Sequence, residues 1–479
     1  MAIRQQLDYI VILGLVTMTW VFMCVVAFVG FDGELSLVVI VIFMLFTYAS
    51  TMLWKTVFSP RVAPLGLMFW LFHTNFLLLP ALSQSVHRTF YWSSYNTYSS
   101  QDLLFACAII VVGLLAFRFG AGLTRDRVRN PSFSAVESNF LTRPLRPSWR
   151  SQLFLVVILI GLAWLVFVLG TEFFTSDRMA KLSQVDSLPE LGLLLSLPRA
   201  LSLGVLLFSI ALLVQGWRAN GKVLLGSVMI FFMSLGLNLI VNYPLSIPRF
   251  WVFGFIISLM WVVVPLCQAR WQSAFVIAMT AMQFTIFPLY SQITRGGGWI
   301  GLDIESMRKY LHHGDFDGFQ SIVNITLHIQ ENGFELGRNL ISTILFFVPR
   351  GIWVGKAEPL GVAASDFMGY EYTNLSAPIY GEFYADYGFL SLILGMVFIG
   401  WAIKKSDCFF DYMVKYRQFN AGVLLVSTLA GYLIILLRGS LLGVVPSIAT
   451  LIALLVIASW LTKRTNRHVL SFTIADEKE

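Results

Sequence analysis

A few residues of this chain combine types and positions that suit transfer chemistry on a phosphorylated substrate. Arg249 stands in "NYPLSIPRFWVF", Arg350 and Lys356 in "FFVPRGIWVGKAEP", Arg438 in "LLRGSLLG", and Arg178 in "TEFFTSDRMAKLSQ". All lie near the ends of apolar runs, on the side that orientation rules disfavour for positive charge. A guanidinium presents a planar fork that matches phosphate oxygens. A departing pyrophosphate gains charge as its bond to a sugar breaks, and fixed cations stabilise that change. The structural alternative is snorkelling to headgroups or pairing with nearby carboxylates. Glu382 follows Gly381 in "YTNLSAPIYGEFYADYGF", close to an apolar run. A carboxylate desolvated there could take a proton from a sugar hydroxyl. Alternatively it pairs with one of the arginines and holds the loop shut. Trp353 offers a flat face to a sugar ring or lipid neck, or else anchors at the interface. Asn374 and Ser376 could bond sugar hydroxyls or cap a turn.

Other chemistries find little support. There is no Walker-type loop, dinucleotide glycine fingerprint or HExxH. The six histidines lack metal-ligand spacing. "GDFDGF" brings Asp315 and Asp317 together, either as a cation site or with Asp315 capping the following helix. No metal and no cofactor are expected.

The elements that must position these residues follow from composition. Of 479 residues, 57% are hydrophobic and 12% charged, against about 25% charged in a typical soluble domain. The predicted fold is therefore all-α: a polytopic membrane bundle of about 12 spans, because lipid offers no partner to unpaired backbone groups. The spans fall near 8–29, 36–54, 62–82, 102–122, 151–170, 191–215, 223–241, 250–267, 273–290, 387–403, 420–437 and 446–462. The first run is long enough to span and lacks a small-residue cleavage site, so it reads as a helix and not a removable signal. The +7 charge sits largely in short loops, as topology requires, and does not indicate nucleic acid. Placing the N-terminus in the cytoplasm puts Lys55, Arg61, Arg118, Arg146, Arg150, Lys404 and Lys405 inside with most other Lys and Arg, and both termini inside. The chain thus divides into a nine-span bundle (1–290), a large outer loop (291–386), and three further spans with a tail (387–479). The loop holds eleven acidic and six basic residues. Within it "IESMRKYLHH" and "FDGFQSIVNITLHIQ" read as amphipathic helices, with Phe316, Phe319, Val323 and Ile325 as packing residues. "RNLISTILFFV" is a third helix, ended by Pro349. "RTFYWSSYNTYSS" (88–100) suits carbohydrate contact or an interfacial aromatic belt.

Taken together, several of these features resemble the oligosaccharide repeat-unit polymerases, the Wzy-type O-antigen polymerases of bacterial surface polysaccharide synthesis. The likeness rests on the Arg at the start of an eighth-span-like helix, "DFDGF", Pro349, Arg350, Trp353 and Lys356, then Gly381, Glu382 and Gly388, with Asp177 and Arg178 in the third outer loop. It covers about 150 residues, from 240 to 390; elsewhere only hydropathy and span count agree. The resemblance implies the GT-C-like fold of O-antigen polymerases and ligases in the bacterial inner membrane, with a periplasmic active site. Such an enzyme transfers a growing glycan from undecaprenyl pyrophosphate to the non-reducing end of a new lipid-linked repeat. Arg249, Arg350 and Lys356, helped by Arg438, would then hold the diphosphate, with Arg178 a further substrate-binding residue. Glu382 would activate the acceptor, with Trp353 and Asn374 against lipid or sugar. Implied partners are the undecaprenyl-pyrophosphate-linked oligosaccharide, membrane lipids and a chain-length regulator protein; nucleic acid is not among them. An O-antigen ligase is the nearest rival. A flippase of lipid-linked sugars is a second, although its pathway should carry charges at mid-membrane depth.

Overall fold

The computed structural model describes residues 2–31, 33, 35–124, 140–142, 144–176, 189–221, 223–263, 269–295, 301, 303–373, 375–415 and 419–462. Among these the protein is helical throughout. The helices are α1 (Ala2–Phe28), α2 (Leu37–Val57), α3 (Pro64–Leu71), α4 (Leu79–Val86), α5 (Ser100–Leu123), α6 (Trp149–Leu169), α7 (Pro189–Asn220), α8 (Leu225–Val241) and α9 (Arg249–Val263). They continue with α10 (Ala269–Phe284), α11 (Ile286–Arg295), α12 (Ile304–Leu311), α13 (Gly318–Asn332), α14 (Arg338–Ile344) and α15 (Leu360–Phe367). Last come α16 (Ile379–Tyr387), α17 (Phe389–Lys415), α18 (Ala421–Arg438) and α19 (Leu441–Trp460).

Ten helices among the described residues are long and apolar enough to cross a bilayer, two fewer than the twelve expected. The expected eighth and ninth spans account for the difference. α9 has 15 residues, about 22 Å of helix against a hydrocarbon core of about 30 Å. α10 carries Gln272, Ser273, Thr280 and Gln283, all buried, so its apolar character is diluted on the face turned inward. Gln283 Nε2 donates to Asn75 O (2.8 Å) and Asn75 Nδ2 to Thr280 Oγ1 (2.9 Å). These bonds tie α10 to the π-helical segment Phe72–Leu78 that joins α3 to α4.

That central span is the hub. Its most apolar stretch within Pro64–Val86 is 100% buried, against 22% for Val11–Phe28 and for Trp149–Leu169, which face outward. A helix apolar all round belongs in the interior, as α3 does. His73 in the π segment donates from Nδ1 to Phe69 O, which leaves Nε2 to accept from the Tyr380 hydroxyl of α16. The hub thus reaches directly into the large loop.

Small residues set two close crossings. A Cβ on Gly431 of α18 would collide with Gly254 O of α9, so only glycine lets these backbones meet. The two helices run antiparallel there, which brings Arg249 at the start of α9 and Arg438 at the end of α18 to the same rim. The second crossing pairs Gly120 of α5 with α17.

The large loop packs into the mouth of the bundle. α13 is buried along most of its length and touches α4, α5, α15, α16 and the π segment. Phe316, Phe319, Val323 and Ile325 are all within 1% of full burial, as the apolar spacing predicts. The third predicted helix is shorter than its apolar run: α14 stops at Ile344, and turns lead on to Pro349.

Candidate functional site

Glu382 sits on the first turn of α16, and two glycines place it. A Cβ on Gly381 would lie 2.7 Å from Ile325 Cδ1, so α16 approaches α13 closely on that side. Gly388, at φ +63°, makes the break between α16 and the span α17 that a side chain would resist. Glu382 is fully buried. Its Oε2 accepts from Asn339 Nδ2 (2.6 Å) on α14, and its Oε1 accepts from the Leu441 amide (2.9 Å) at the start of α19. Its partners are therefore an amide side chain and a helix N-terminus, not the arginine that the structural alternative supposed. Burial pushes its carboxyl up to about 7, against the hydrogen-bonding groups of Asn339, Ser440 and Leu441 and with Asp386 adding repulsion.

Asp386 lies one turn further along α16 and was not singled out from the sequence. It too is fully buried, and its carboxylate accepts from the Asn339 amide (3.2 Å) and the Leu340 amide (3.1 Å). It thereby caps α14, whose own N-cap is Gly337 in the left-handed region with no side chain to offer. Burial raises its carboxyl, opposed by the backbone hydrogen bonds. The available signal was the i, i+4 spacing of Glu382 and Asp386, which puts both carboxylates on one face of a helix.

Four of the predicted site cations are described, and they fall into two pairs of different character. Arg249 and Arg438 hold the "GDFDG" turn. Arg249 is buried; its guanidinium donates to Phe287 O (2.7 Å), to the Tyr310 hydroxyl (2.8 Å) and to the Asp315 carboxylate. Arg438 donates to Asp315 O (3.1 Å) and to Asp317 Oδ1 (3.0 Å), and its guanidinium lies 4.8 Å above the Phe250 ring. Asp317 also accepts from Trp92 Nε1 (3.2 Å) and from the Ser376 hydroxyl. The two aspartates are thus tied to arginines, and no group of residues suited to a metal occurs among those described. Asp315 does not cap α13, which has no side-chain cap bond.

Arg350 and Lys356 differ. Arg350 donates to Lys356 O (3.2 Å) and Ala357 O (2.8 Å). Lys356 Nζ donates to Phe346 O (2.7 Å) and Val348 O (2.8 Å). Neither has a carboxylate partner among the described residues. Carbonyl dipoles fix both side chains without cancelling their charge. Partial burial pushes the Lys356 ammonium down, and the neighbouring Arg350 guanidinium adds to that shift. Trp353 stands half-buried on the same turn, beside exposed Ile352 and Val354.

The two pairs and the carboxylates belong to one continuous contact path. The Ala357 amide donates to Ser342 Oγ (2.9 Å) of α14, and α14 reaches Glu382 through Asn339. Glu382 holds Leu441, three residues beyond Arg438, and Arg438 leads to Asp317 and Asp315, hence to Arg249. Of the residues singled out from sequence, Arg249, Arg438, Glu382, Ser376, Arg350 and Lys356 lie on this path or end it. Trp353 stands beside it. Arg178 and Asn374 lie outside the described residues.

The aromatic 88–100 loop packs onto the large loop at the same end. Trp92 stacks on Tyr372, with centroids 5.2 Å apart and planes 3° apart. The Tyr98 hydroxyl donates to Asn324 Oδ1 (2.7 Å) and accepts from Gln320 (3.0 Å).

The fold defines a multi-pass helical membrane protein with its large loop folded into one end of the bundle. No family model matches the chain, nor does any curated protein or solved structure.

Proposed function

We propose that this chain is a membrane glycosyltransferase that polymerises lipid-linked oligosaccharide repeat units at the periplasmic face, with undecaprenyl pyrophosphate as leaving group. The observation that carries this reading is the Arg350–Lys356 pair. Two like charges are held together on a carbonyl-lined turn with no carboxylate among the described residues to neutralise them. An anion arriving there relieves their repulsion, and a diphosphate whose charge grows during bond cleavage relieves it most in the transition state.

In the proposed step an acceptor hydroxyl oxygen bonds to the anomeric carbon of the donor glycan. The anomeric carbon–oxygen bond to the pyrophosphate breaks, and the diphosphate leaves with that electron pair onto Arg350 and Lys356. The hydroxyl proton passes to Glu382, whose raised affinity for protons suits a base working near neutral pH. Glu382 reaches the hydroxyl by exchanging its bond from Asn339. Arg249 and Arg438 act as positioning residues: they fix the 314–317 turn and, through the 438–441 turn, the carboxylate. Trp353 packs against the lipid or the first sugar. The GT-C-like fold, the inner-membrane location with cytoplasmic termini, and a chain-length regulator as partner belong to the same proposal.

The test replaces Arg350 and Lys356 together by Ala, and separately Glu382 by Gln, in a strain lacking the chromosomal copy. Surface glycan is then resolved on a gel, with protein levels checked by immunoblot. Single repeats on the core and no ladder are expected. A full ladder at normal protein level from the double variant would end the assignment of the leaving-group site. Finished polymer retained on the carrier lipid would point instead to the ligase reaction.

A further inference from the structure

A second cationic site lies at the opposite end of the bundle. α2 reaches that end at Val57 and α3 starts from it at Pro64, while the following 88–100 loop is bonded to the large loop at the other end. Arg118 is near the end of α5, and Lys404 lies well along α17, which starts from the large loop. Between them is a cavity of about 210 Å³, lined by Lys55, Ser59, Arg61, Arg118, Lys404 and Asp407 among others. Among the described residues, Lys55, Arg118 and Lys404 therefore face one carboxylate there, with Arg61 at the edge. That carboxylate is already engaged: Asp407 is buried and its two oxygens accept from the Leu65 and Gly66 amides, each at 2.9 Å, at the start of α3. Asp411, one turn on, accepts from the Val62 amide (3.0 Å) and pairs with Lys415 (2.7 Å). Among the described residues, Lys55 and Arg118 make no ion pair, and Lys404 attracts Asp407 only from beyond ion-pair distance. Arg118 instead rests a guanidinium nitrogen against the Met52 sulfur, a weak acceptor. Ser59 Oγ accepts from the Arg61 amide, which leaves its own proton to donate.

We propose that this cavity binds a phosphate group, gripped by Lys55, Arg118 and Lys404 with Arg61 at the rim. Topology alone explains positive charge at this end of a bundle, but not its convergence on one hollow, where like charges repel unless an anion joins them. The size argues for a small group: pockets that enclose drug-sized ligands such as nucleotides run from about 300 Å³ upward. Basic pockets between spanning helices take anionic lipid headgroups, and a free phosphate ion offers the same oxygens. This site is independent of the transfer chemistry proposed at the other end.

The experiment uses the purified full chain in neutral detergent and follows thermal unfolding by tryptophan fluorescence. It is titrated with phosphatidylglycerol in mixed micelles, with phosphatidylcholine, and with inorganic phosphate. Saturable stabilisation is expected from phosphatidylglycerol and not from phosphatidylcholine, whose choline cancels the charge. The same response to inorganic phosphate alone would support the site with a soluble ion as its ligand. Removing two of the gripping cations in R118Q/K404Q takes away two charge-assisted hydrogen bonds to the phosphate and should weaken binding at least about 30-fold. The pair K55Q/K404Q gives the same test should the first variant fold poorly. R150Q/K405Q removes equal charge at the same end outside the cavity and should stay within about twofold of the parent. Equal weakening in R150Q/K405Q would reduce the effect to diffuse surface charge and overturn the proposal. So would parental binding in both cavity variants, or no saturable stabilisation by either anionic probe.

Discussion

Replacing Glu382 by Gln should change how stability depends on pH, in a direction fixed by the carboxyl's surroundings. Burial raises the Glu382 carboxyl from 4.5 to about 7. A group whose affinity for protons is higher in the folded state stabilises the fold fully below its unfolded value. That contribution is lost as pH rises through the folded value. The window is therefore pH 4.5 to 7, and a shift of this size corresponds to about 3 kcal/mol. A glutamine in place of Glu382 cannot ionise and should show no such loss. Its carbonyl can still accept from the Leu441 amide, and its NH₂ can meet Asn339 Oδ1, a buried acceptor with no partner, once the Asn339 amide turns over. The variant should thus resemble the parent near pH 4.5 and exceed it by about 3 kcal/mol at about pH 8.

The assay is reversible denaturation in mixed micelles at about pH 5, 6, 7 and 8, read as the difference between parent and variant. The difference matters because other groups titrate in the same range. His312, for example, is pushed down to about 4 by burial, with His87 and Arg308 adding repulsion, and so loses stability as pH falls. Subtraction removes such shared terms, since His312 is not a partner of Glu382. A parent-to-variant gap that stays constant across that range would refute the account of Glu382 as a desolvated carboxyl. A gap that grows towards acid would reverse its sign and imply a cationic partner in place of Asn339.

Asp315→Asn should destabilise the fold by about 3 kcal/mol, because it takes the carboxylate away from a buried guanidinium that keeps only part of its hydrogen bonding. The double replacement Arg249→Met with Asp315→Leu should recover most of that loss, as measured by thermal unfolding in detergent. Gly381→Ala should lower the melting temperature, and Ile325→Val, which removes the offending Cδ1, should restore it. Arg350→Lys should shorten surface glycan chains less than Arg350→Ala, since a point charge keeps the attraction but not the fork. Chain length on a gel reads this out.

Hydropathy made the bundle legible because a lipid-spanning helix needs a long apolar run, and ten of the twelve expected runs became such helices. The remaining two are shorter or more polar on their inward faces. The hydrogen bonds from α10 to Asn75 are tertiary, and no window of local sequence shows that Gln283 will find a backbone carbonyl on the hub. The loop helices were legible for the same reason as the spans: α13 carries its apolar residues at helical spacing and buries them. Partner choice was not. Arg249 and Arg350 look alike in sequence, each an Arg after a Pro near an apolar run. One is paired to a buried aspartate 66 residues away, and the other rests on carbonyls six and seven residues away.

That distinction decides what each cation can do. A guanidinium already neutralised by Asp315 gains little from a phosphate, because the incoming anion must either displace the carboxylate or sit beside it and be repelled. A guanidinium held by carbonyl dipoles keeps its whole charge and its orientation, which is the preorganised state that favours charge developing late in a reaction. The carbonyl-held pair is also the one joined through α14 to Glu382, by the Ala357–Ser342 and Asn339–Glu382 hydrogen bonds. If transfer occurs at this end of the bundle, the leaving group and the acceptor are therefore coupled through a single short helix, α14. Its N-terminus depends on Asp386 for capping. Asp386→Asn should then misplace both halves of the site at once. Chain length on a gel would fall as far as in the Arg350 and Lys356 double variant, although Asp386 touches no substrate. Normal chains from a stably expressed Asp386→Asn protein would show that α14 does not position the chemistry.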